Sequence, residues 1–113
     1  YLAVPPLYKL SQGPKVAYAR DEKHRQELMR TELSGRGKVE VSRFKGLGEM
    51  LPAQLKETTM DPRKRHLLRV TLEEAARAAT AKTIEQLMGN KPEERFNFIS
   101  ERAEFVSEEG LDI

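Results

Sequence analysis

The chain has 113 residues, 38% of them hydrophobic, and a net charge of only +2, so it can form one small domain or part of a larger protein. It contains no cysteine, which excludes a disulfide framework and thiolate metal sites, and no apolar run is long enough for a membrane span or a signal peptide. The composition therefore predicts a cytoplasmic protein with no membrane contact.

The chain begins with residues typical of a strand and a hairpin. Tyr1–Val4 is predicted to be a strand that ends at two prolines, which lack the backbone donors that a sheet needs. Leu7–Leu10 and Val16–Ala19 flank a turn with a Gly-Pro pair, a pattern typical of two antiparallel strands. Because the first residue is Tyr1 rather than Met, we expect a fragment that starts within a strand.

A helix, a strand and a glycine turn are predicted next. Asp21 is placed to cap a helix over Glu22–Glu32. Val39–Phe44 has the β-branched residues of a strand and runs directly into the glycine-containing segment Lys45–Met50. A proline then suits the first position of a short helix over Pro52–Thr59.

The last part of the chain is predicted to be mainly helical. A single turn at Asp61–Pro62 and a strand over His66–Val70 come first. Thr71–Glu74 then matches a capping box, in which a hydroxyl and a carboxylate satisfy the free amides at a helix start. The long helix that follows is predicted to end at Gly89 in a left-handed conformation, and a final helix is predicted from Pro92.

Charge is segregated along the chain, although the total is small. Residues 36–69 contain nine basic and four acidic residues, whereas residues 71–113 contain five basic and ten acidic residues. A basic segment attracts polyanions through the release of their counterions, but it is more often only a solvated surface. Charge alone therefore favours nucleic-acid binding only weakly.

The segment Lys45–Met50 is the most specific local feature. Gly46 and Gly48 surround one leucine, an arrangement that permits positive φ and close backbone approach and exposes amides beside Lys45. A phosphate could bind such a turn, but the spacing matches neither a Walker loop nor a dinucleotide fingerprint. Taken by itself, the pattern favours a structural turn over a phosphate contact.

Metal binding and nucleophilic catalysis have little support in the sequence. His24 and His66 are far apart in the chain, and neither has a second ligand at metal spacing. Glu49 and Asp61 stand alone, and there is no Asp-x-Asp pair for magnesium. No hydroxyl group is accompanied by a base and an orienting residue. We therefore predict no metal ligand and no catalytic residue in this chain.

Two longer segments lie in the middle of the chain: Arg43-Phe-Lys-Gly-Leu-Gly-Glu-Met50 and Gln54-Leu-Lys-Glu-Thr-Thr-Met-Asp-Pro62. Both resemble the signature at the end of the TOPRIM region of bacterial type IIA topoisomerase B subunits, the family of gyrase and topoisomerase IV. Shorter similarities follow the same order from Ala3–Lys9 to Leu111–Ile113, so the resemblance covers nearly the whole chain.

Two positions distinguish the members of this family. Phe44 stands where gyrases usually have tyrosine, and Lys56 where they usually have tryptophan. Both favour topoisomerase IV, with gyrase as the alternative. A stand-alone DNA-binding module and a protein-interaction domain remain open as functions of another class.

The resemblance implies an α/β fold in which residues 1–70 are the C-terminal part of a Rossmann-like TOPRIM domain and residues 71–113 are a helical tail. It also implies a protein that uses ATP and Mg²⁺ to pass one DNA duplex through a transient break in another. The implied partner is the topoisomerase IV A subunit, in an A2B2 heterotetramer. ATP and Mg²⁺ would bind outside this chain, so we predict that the chain alone is inactive.

The same resemblance implies contacts with duplex DNA that do not depend on base sequence. Arg95 matches a tail arginine that contacts DNA in these subunits, although Phe96 replaces the second arginine that is usual there. An ion pair between Arg95 and Glu94 is the alternative. Further backbone contacts are predicted for Arg43, Lys45, Arg63, Lys64 and Arg65. Structural roles are predicted for Gly46, Gly48, Glu49, Asp61 and Pro62.

Overall fold

The structure is a computed structural model that describes residues 1–107. Contacts between Cα atoms divide the chain into two compact units, Tyr1–Val70 and Thr71–Ile113. The first unit contains five strands, and the described part of the second is helical. The expected α/β fold, with a hairpin followed by C-terminal helices, is therefore confirmed. The family-like ending Leu111–Ile113 lies outside the described residues.

A three-stranded antiparallel sheet lies at the centre of the first unit. Strands β2 (Tyr8–Gln12) and β3 (Lys15–Ala19) form the predicted hairpin. Gly13 in their connection has a φ of +58°, a conformation that favours glycine. Strand β4 (Glu40–Arg43) pairs with the other edge of β2, so β2 is the middle strand.

Helix α1 (Glu22–Thr31) packs against β3 and completes the core. It begins as predicted, because a carboxylate oxygen of Asp21 accepts the His24 N–H at 2.7 Å. The side chain of Leu10 is fully buried at the middle of β2. The core consists of Leu10, Ala19, Leu28 and Leu33, with Tyr8, Ala17 and Val39 packed against it.

One buried polar side chain fastens the loop after α1 to the sheet. Gln12 is 7% exposed, and its amide nitrogen donates to the carbonyl oxygens of Gly35 and Gly37, each at 2.9 Å. Gly37 has a φ of +122°, which requires glycine at that position. The Ser-Gly-Arg-Gly segment that ends α1 is thus held by hydrogen bonds from β2.

A second, two-stranded antiparallel sheet joins the two ends of the first unit. Strand β1 (Leu2–Val4) pairs with β5 (His66–Leu68). Both strands were predicted, although β5 ends two residues earlier than expected. Leu2 and Leu68 face each other across the pair, and each remains about half exposed. A sheet of two strands with exposed apolar residues is marginally stable without a neighbour.

The predicted helix over residues 52–59 is present, and it consists of two consecutive parts. It begins as α2 (Pro52–Leu55) with proline at the first position and continues as a π-helical turn over Lys56–Met60. The Leu51 N–H donates to the side-chain oxygen of Gln54 at 2.9 Å, which satisfies one of the free amides at the helix start. π-Helical turns are rare and occur frequently at functional sites.

The second unit contains helices α3 (Arg77–Met88) and α4 (Pro92–Arg102). The predicted capping box at Thr71 is wrong, because Glu73 is extended and the first turn is a 3₁₀ turn over Glu74–Ala76 with no side-chain cap. Thr71 precedes this turn in an irregular segment. No helix within residues 1–107 is long and apolar enough to cross a lipid bilayer.

Gly89 ends α3, but not in the predicted way. Its φ and ψ are −71° and 174°, so the expected left-handed conformation is wrong. A Cβ atom at this position would lie 2.3 Å from the carbonyl oxygen of Glu85. Glycine is needed here because the backbone folds closely over the last turn of α3, and not because of a positive φ.

Candidate nucleic-acid interface

Arg43, at the end of β4, is held against the sheet. Its guanidinium carbon lies 5.8 Å from the centroid of the Tyr8 ring, and that of Arg25 lies 5.5 Å from the same ring. Both distances are within the range of cation–π attraction. Tyr8 is also the cross-strand neighbour of Arg43. The partly buried Arg43 therefore stabilises the end of β4, in addition to its predicted role as a DNA contact.

In the glycine turn that follows β4, backbone N–H groups donate to acceptors of the turn itself. The Lys45 N–H donates to the Glu49 carboxylate at 2.7 Å. The Glu49 N–H donates to the carbonyl of Gly46 at 3.2 Å, and the Met50 N–H to that of Leu47 at 3.1 Å. A carboxylate already occupies the place that a phosphate would take at the Lys45 amide. These hydrogen bonds favour the structural turn over the phosphate cradle.

The two glycines of this turn do not adopt the positive φ that glycine permits. Gly46 is extended, with a φ of −176°, and Gly48 lies in a 3₁₀ turn without a left-handed conformation. A Cβ atom at either position would meet no atom within 4 Å. Neither glycine uses a positive φ, and within the described part of the chain the space in which a side chain would begin is empty at both positions. The space over both glycines is open to a binding partner.

Three consecutive cations follow Asp61 in a turn that we name the basic turn, Arg63–Arg65. The carbonyl oxygen of Asp61 accepts the N–H of Lys64 at 3.0 Å and that of Arg65 at 2.8 Å. All three basic residues are exposed, and the Arg63 side chain is 88% exposed. The predicted turn at Asp61–Pro62 is confirmed, and it presents three positive charges to solvent.

The Asp61 carboxylate holds this turn closed. One of its oxygens accepts the Arg63 N–H at 3.0 Å and the Arg63 Nε at 3.4 Å. The hydrogen bond from the Arg63 backbone is the main factor that lowers the pKa of Asp61. Desolvation acts in the opposite direction, and the Arg63 side chain, Lys64 and Lys56 lower the pKa further. The carboxylate thus stabilises the turn when it is ionised.

Asp61→Asn is expected to remove a stabilising contribution that depends on pH. Because the pKa of Asp61 is lowered by folding, its contribution is complete above the pKa of an unfolded aspartate, about 4, and is lost as the pH falls through the lowered value. The difference in urea midpoint between wild type and variant should therefore shrink below about pH 4. A difference that is constant from pH 7 to pH 3, or equal to that of the exposed control Glu27→Gln, would contradict this role.

Arg95 lies at the corner between α3 and α4. Its guanidinium donates to the carbonyl oxygen of Gly89 at 2.6 Å, and the residue is partly buried. Within the described residues, Glu94 lies instead near Lys91, with a separation of 3.9 Å. Arg95 thus satisfies a free carbonyl at the end of α3. Its contact with DNA stays a prediction.

The fold brings together two histidines that the sequence analysis treated as separate. His24 and His66 are distant in the sequence, but both line one cleft with Arg20 and Lys64. Distance along the chain was therefore a poor reason to separate them. Within residues 1–107, no group of three or more potential ligands is arranged to hold a metal ion.

Comparison with known proteins identifies the family of the chain. The model of the family described as DNA gyrase B subunit, carboxyl terminus, matches residues 36–100. This match covers more than half of the chain and includes the glycine turn, the basic turn and Arg95. The chain belongs to this family. The family resemblance predicted from the Arg43–Met50 and Gln54–Pro62 segments is confirmed.

Individual relatives include B subunits of two enzymes of this family. The chain is 59% identical to the B subunit of DNA topoisomerase 4 from Bartonella bacilliformis over 113 residues, which is 100% of the chain and 16% of that protein. It is 56% identical to the B subunit of DNA topoisomerase 4 from Caulobacter vibrioides over 107 residues, 95% of the chain and 15% of that protein.

The chain is also 47% identical to the B subunit of DNA gyrase from Halalkalibacterium halodurans over 113 residues, 100% of the chain and 17% of that protein. The chain therefore spans about one sixth of the length of these curated relatives.

Proposed function

We propose that the chain is part of the B subunit of a topoisomerase IV, an ATP-dependent type IIA enzyme that passes one DNA duplex through a transient double-strand break in another. The observation that carries this proposal is the 59% identity with the B subunit of a topoisomerase 4 over all 113 residues, against 47% with the B subunit of a gyrase over the same length. Phe44 and Lys56 favour the same choice.

The chain is proposed to support the enzyme and contact DNA rather than perform its chemistry. ATP and Mg²⁺ would bind the other five sixths of the protein, and the cleaving tyrosine would belong to the A subunit in an A2B2 assembly. Both kinds of subunit would act on the chromosome in the cytoplasm. On this proposal, the purified 113-residue chain neither hydrolyses ATP nor relaxes DNA.

The basic turn is the part of the chain best suited to contact a DNA backbone. Its three cations are consecutive and exposed, and the Asp61 carbonyl and carboxylate fix the conformation that presents them. Arginine and lysine contacts to phosphate position a duplex without reading its sequence. Lys45, exposed at the start of the glycine turn, and Arg95 would add to this non-specific contact.

The test of this proposal uses the full-length protein mixed with each of the two A subunits of the same organism. We expect ATP-dependent decatenation with the topoisomerase IV A subunit and none with the gyrase A subunit. Activity with the gyrase A subunit alone would assign the chain to gyrase, which the 47% identity keeps as the second candidate. Absence of strand passage with both would refute a topoisomerase subunit of either kind.

Gly48→Ala is expected to separate the activity of the enzyme from its stability. Because a Cβ atom at Gly48 meets no atom within 4 Å and the residue has no left-handed conformation, the substitution should leave stability unchanged or raise it by about 0.4–1 kcal/mol. If the open space over the turn admits a partner backbone, decatenation should fall several-fold. The control is Ala53→Ser on the exposed side of α2. Unchanged decatenation by Gly48→Ala would show that no partner approaches the turn.

A further inference from the structure

A cleft in the first unit gathers four basic side chains from separate segments of the chain. It has a volume of about 200 Å³, and Arg20, His24, Lys64 and His66 are among its lining residues. Arg20 follows β3, His24 lies in the first turn of α1, Lys64 belongs to the basic turn and His66 begins β5. We propose that this cleft binds a phosphate group.

One histidine orients the Arg20 guanidinium and the other accepts from the Arg20 backbone. Its Nη1 donates to Nε2 of His66 at 2.8 Å, and because arginine has no acceptor, the imidazole nitrogen is the acceptor. The Arg20 backbone N–H donates to Nδ1 of His24 at 3.1 Å, so the proton of neutral His24 is carried on Nε2. These bonds place a guanidinium and an imidazole donor at the same cleft.

The remaining walls contain one acidic group. Glu57 lines the cleft beside Tyr18, and the Tyr18 hydroxyl donates a hydrogen bond to this carboxylate. Burial and then this hydrogen bond raise the pKa of Tyr18. The Thr58 hydroxyl donates to the Gln54 carbonyl at 2.7 Å. Lys64 makes no side-chain hydrogen bond or ion pair within residues 1–107. Cations therefore outnumber anions at the cleft, and the lysine is available to a ligand.

The chemistry of these groups selects an oxyanion with several acceptor oxygens. A guanidinium, an ammonium and imidazole N–H groups form their strongest hydrogen bonds to carboxylate or phosphate, and a tetrahedral anion can accept from donors that converge from different directions. The cleft is smaller than the pockets of about 300–1,000 Å³ that enclose whole small molecules. It therefore suits a single phosphate group, either free or within a nucleic-acid backbone.

The Arg20–His66 hydrogen bond positions the guanidinium at the cleft without using all of its donors. Arginine carries five N–H donors, and the contacts with the His66 ring involve only Nη1. The other donors can bond to an anion in the cleft. This inference does not rest on topoisomerase activity, since only the cleft is required.

The test is equilibrium dialysis of the full-length protein with radiolabelled sulfate at constant ionic strength. Sulfate is a tetrahedral oxyanion that stands in for the phosphate group. We expect Lys64→Gln and Arg20→Gln each to weaken binding at one site by about tenfold, as the loss of a hydrogen bond to a charged group implies. The control Arg36→Gln/Lys38→Gln removes two exposed charges outside the cleft and should leave that site intact.

Two results would overturn the proposal: unchanged binding in both cleft variants, or an equal loss in the control. Lys64→Gln keeps the test decisive if Arg20→Gln misfolds, because the lysine side chain makes no hydrogen bond that the fold needs. Competition then identifies the source of the phosphate. Displacement of sulfate by a short duplex at low concentration assigns the site to a DNA backbone, and displacement by inorganic phosphate alone assigns it to a small phosphorylated ligand.

Discussion

Replacement of Arg63, Lys64 and Arg65 by glutamine is expected to weaken the binding of the full-length protein to duplex DNA by about two orders of magnitude at low salt. Each phosphate contact that is lost should reduce the slope of log affinity against log salt by about 0.9, because fewer counterions are released. Loss of three contacts would flatten the slope by about 2.7. The measurement is a salt titration of binding to a duplex of fixed length.

A control variant that loses the same number of positive charges distinguishes direct phosphate contacts from the effect of net charge. Lys23, Arg36 and Lys38 are exposed residues of the same unit and lie outside the basic turn. Their replacement by glutamine should change the slope by much less than one unit. Equal slopes for wild type and the basic-turn variant, or equal effects of both triple variants, would contradict a DNA contact at this turn.

Single substitutions extend the same test to the other predicted contacts. Lys45→Ala and Arg95→Ala are each expected to reduce the slope by about one unit. Arg95→Ala also removes the donor to the Gly89 carbonyl, so it should loosen the corner between α3 and α4. The urea midpoint of the second unit distinguishes this structural loss from the loss of a phosphate contact.

Leu10→Ala is expected to destabilise the first unit by about 3 kcal/mol, within the range of about 2–5 kcal/mol for such core truncations. Leu10 is fully buried at the centre of a core of only four residues, so the cavity has few neighbours that can fill it. Amide hydrogen exchange of β2 and β3 in the full-length protein measures the loss.

The control for this substitution is Val16→Ala on the paired strand. Val16 is 51% exposed, and its truncation should cost less than about 1 kcal/mol because little apolar surface is uncovered. Similar exchange rates in Leu10→Ala and Val16→Ala would show that the sheet and α1 do not form a common core around Leu10.

Local patterns in the sequence predicted the elements whose geometry depends on neighbouring residues. The turn at Gly13 and the cap at Asp21 are of this kind, since each is decided by a few adjacent residues. The cap at Thr71 failed because Glu73 is extended, a conformation that a residue of the first helical turn cannot have. The predicted left-handed conformation of Gly89 was wrong, because a close approach to Glu85 requires glycine there and a positive φ does not.

The candidate sites were less predictable because they depend on contacts between distant segments. The stacking of Arg43 on Tyr8 requires the pairing of β2 with β4. The meeting of His24 and His66 at one cleft requires a β5 that returns beside the first residues of the chain. Sequence spacing predicts neither contact. The turn that presents the basic residues, in contrast, was predicted from Asp61 and Pro62.

The most direct test of the function is a chimera of a known relative. Residues 1–113 of this chain would replace the matching segment of the topoisomerase 4 B subunit from Bartonella bacilliformis, to which they are 59% identical over that length. The control chimera would carry the matching segment of the gyrase B subunit from Halalkalibacterium halodurans. With the topoisomerase IV A subunit from Bartonella bacilliformis, the first chimera should retain ATP-dependent decatenation and exceed the control. A folded first chimera that does not decatenate, or does so no better than the gyrase chimera, would contradict the assignment to topoisomerase IV.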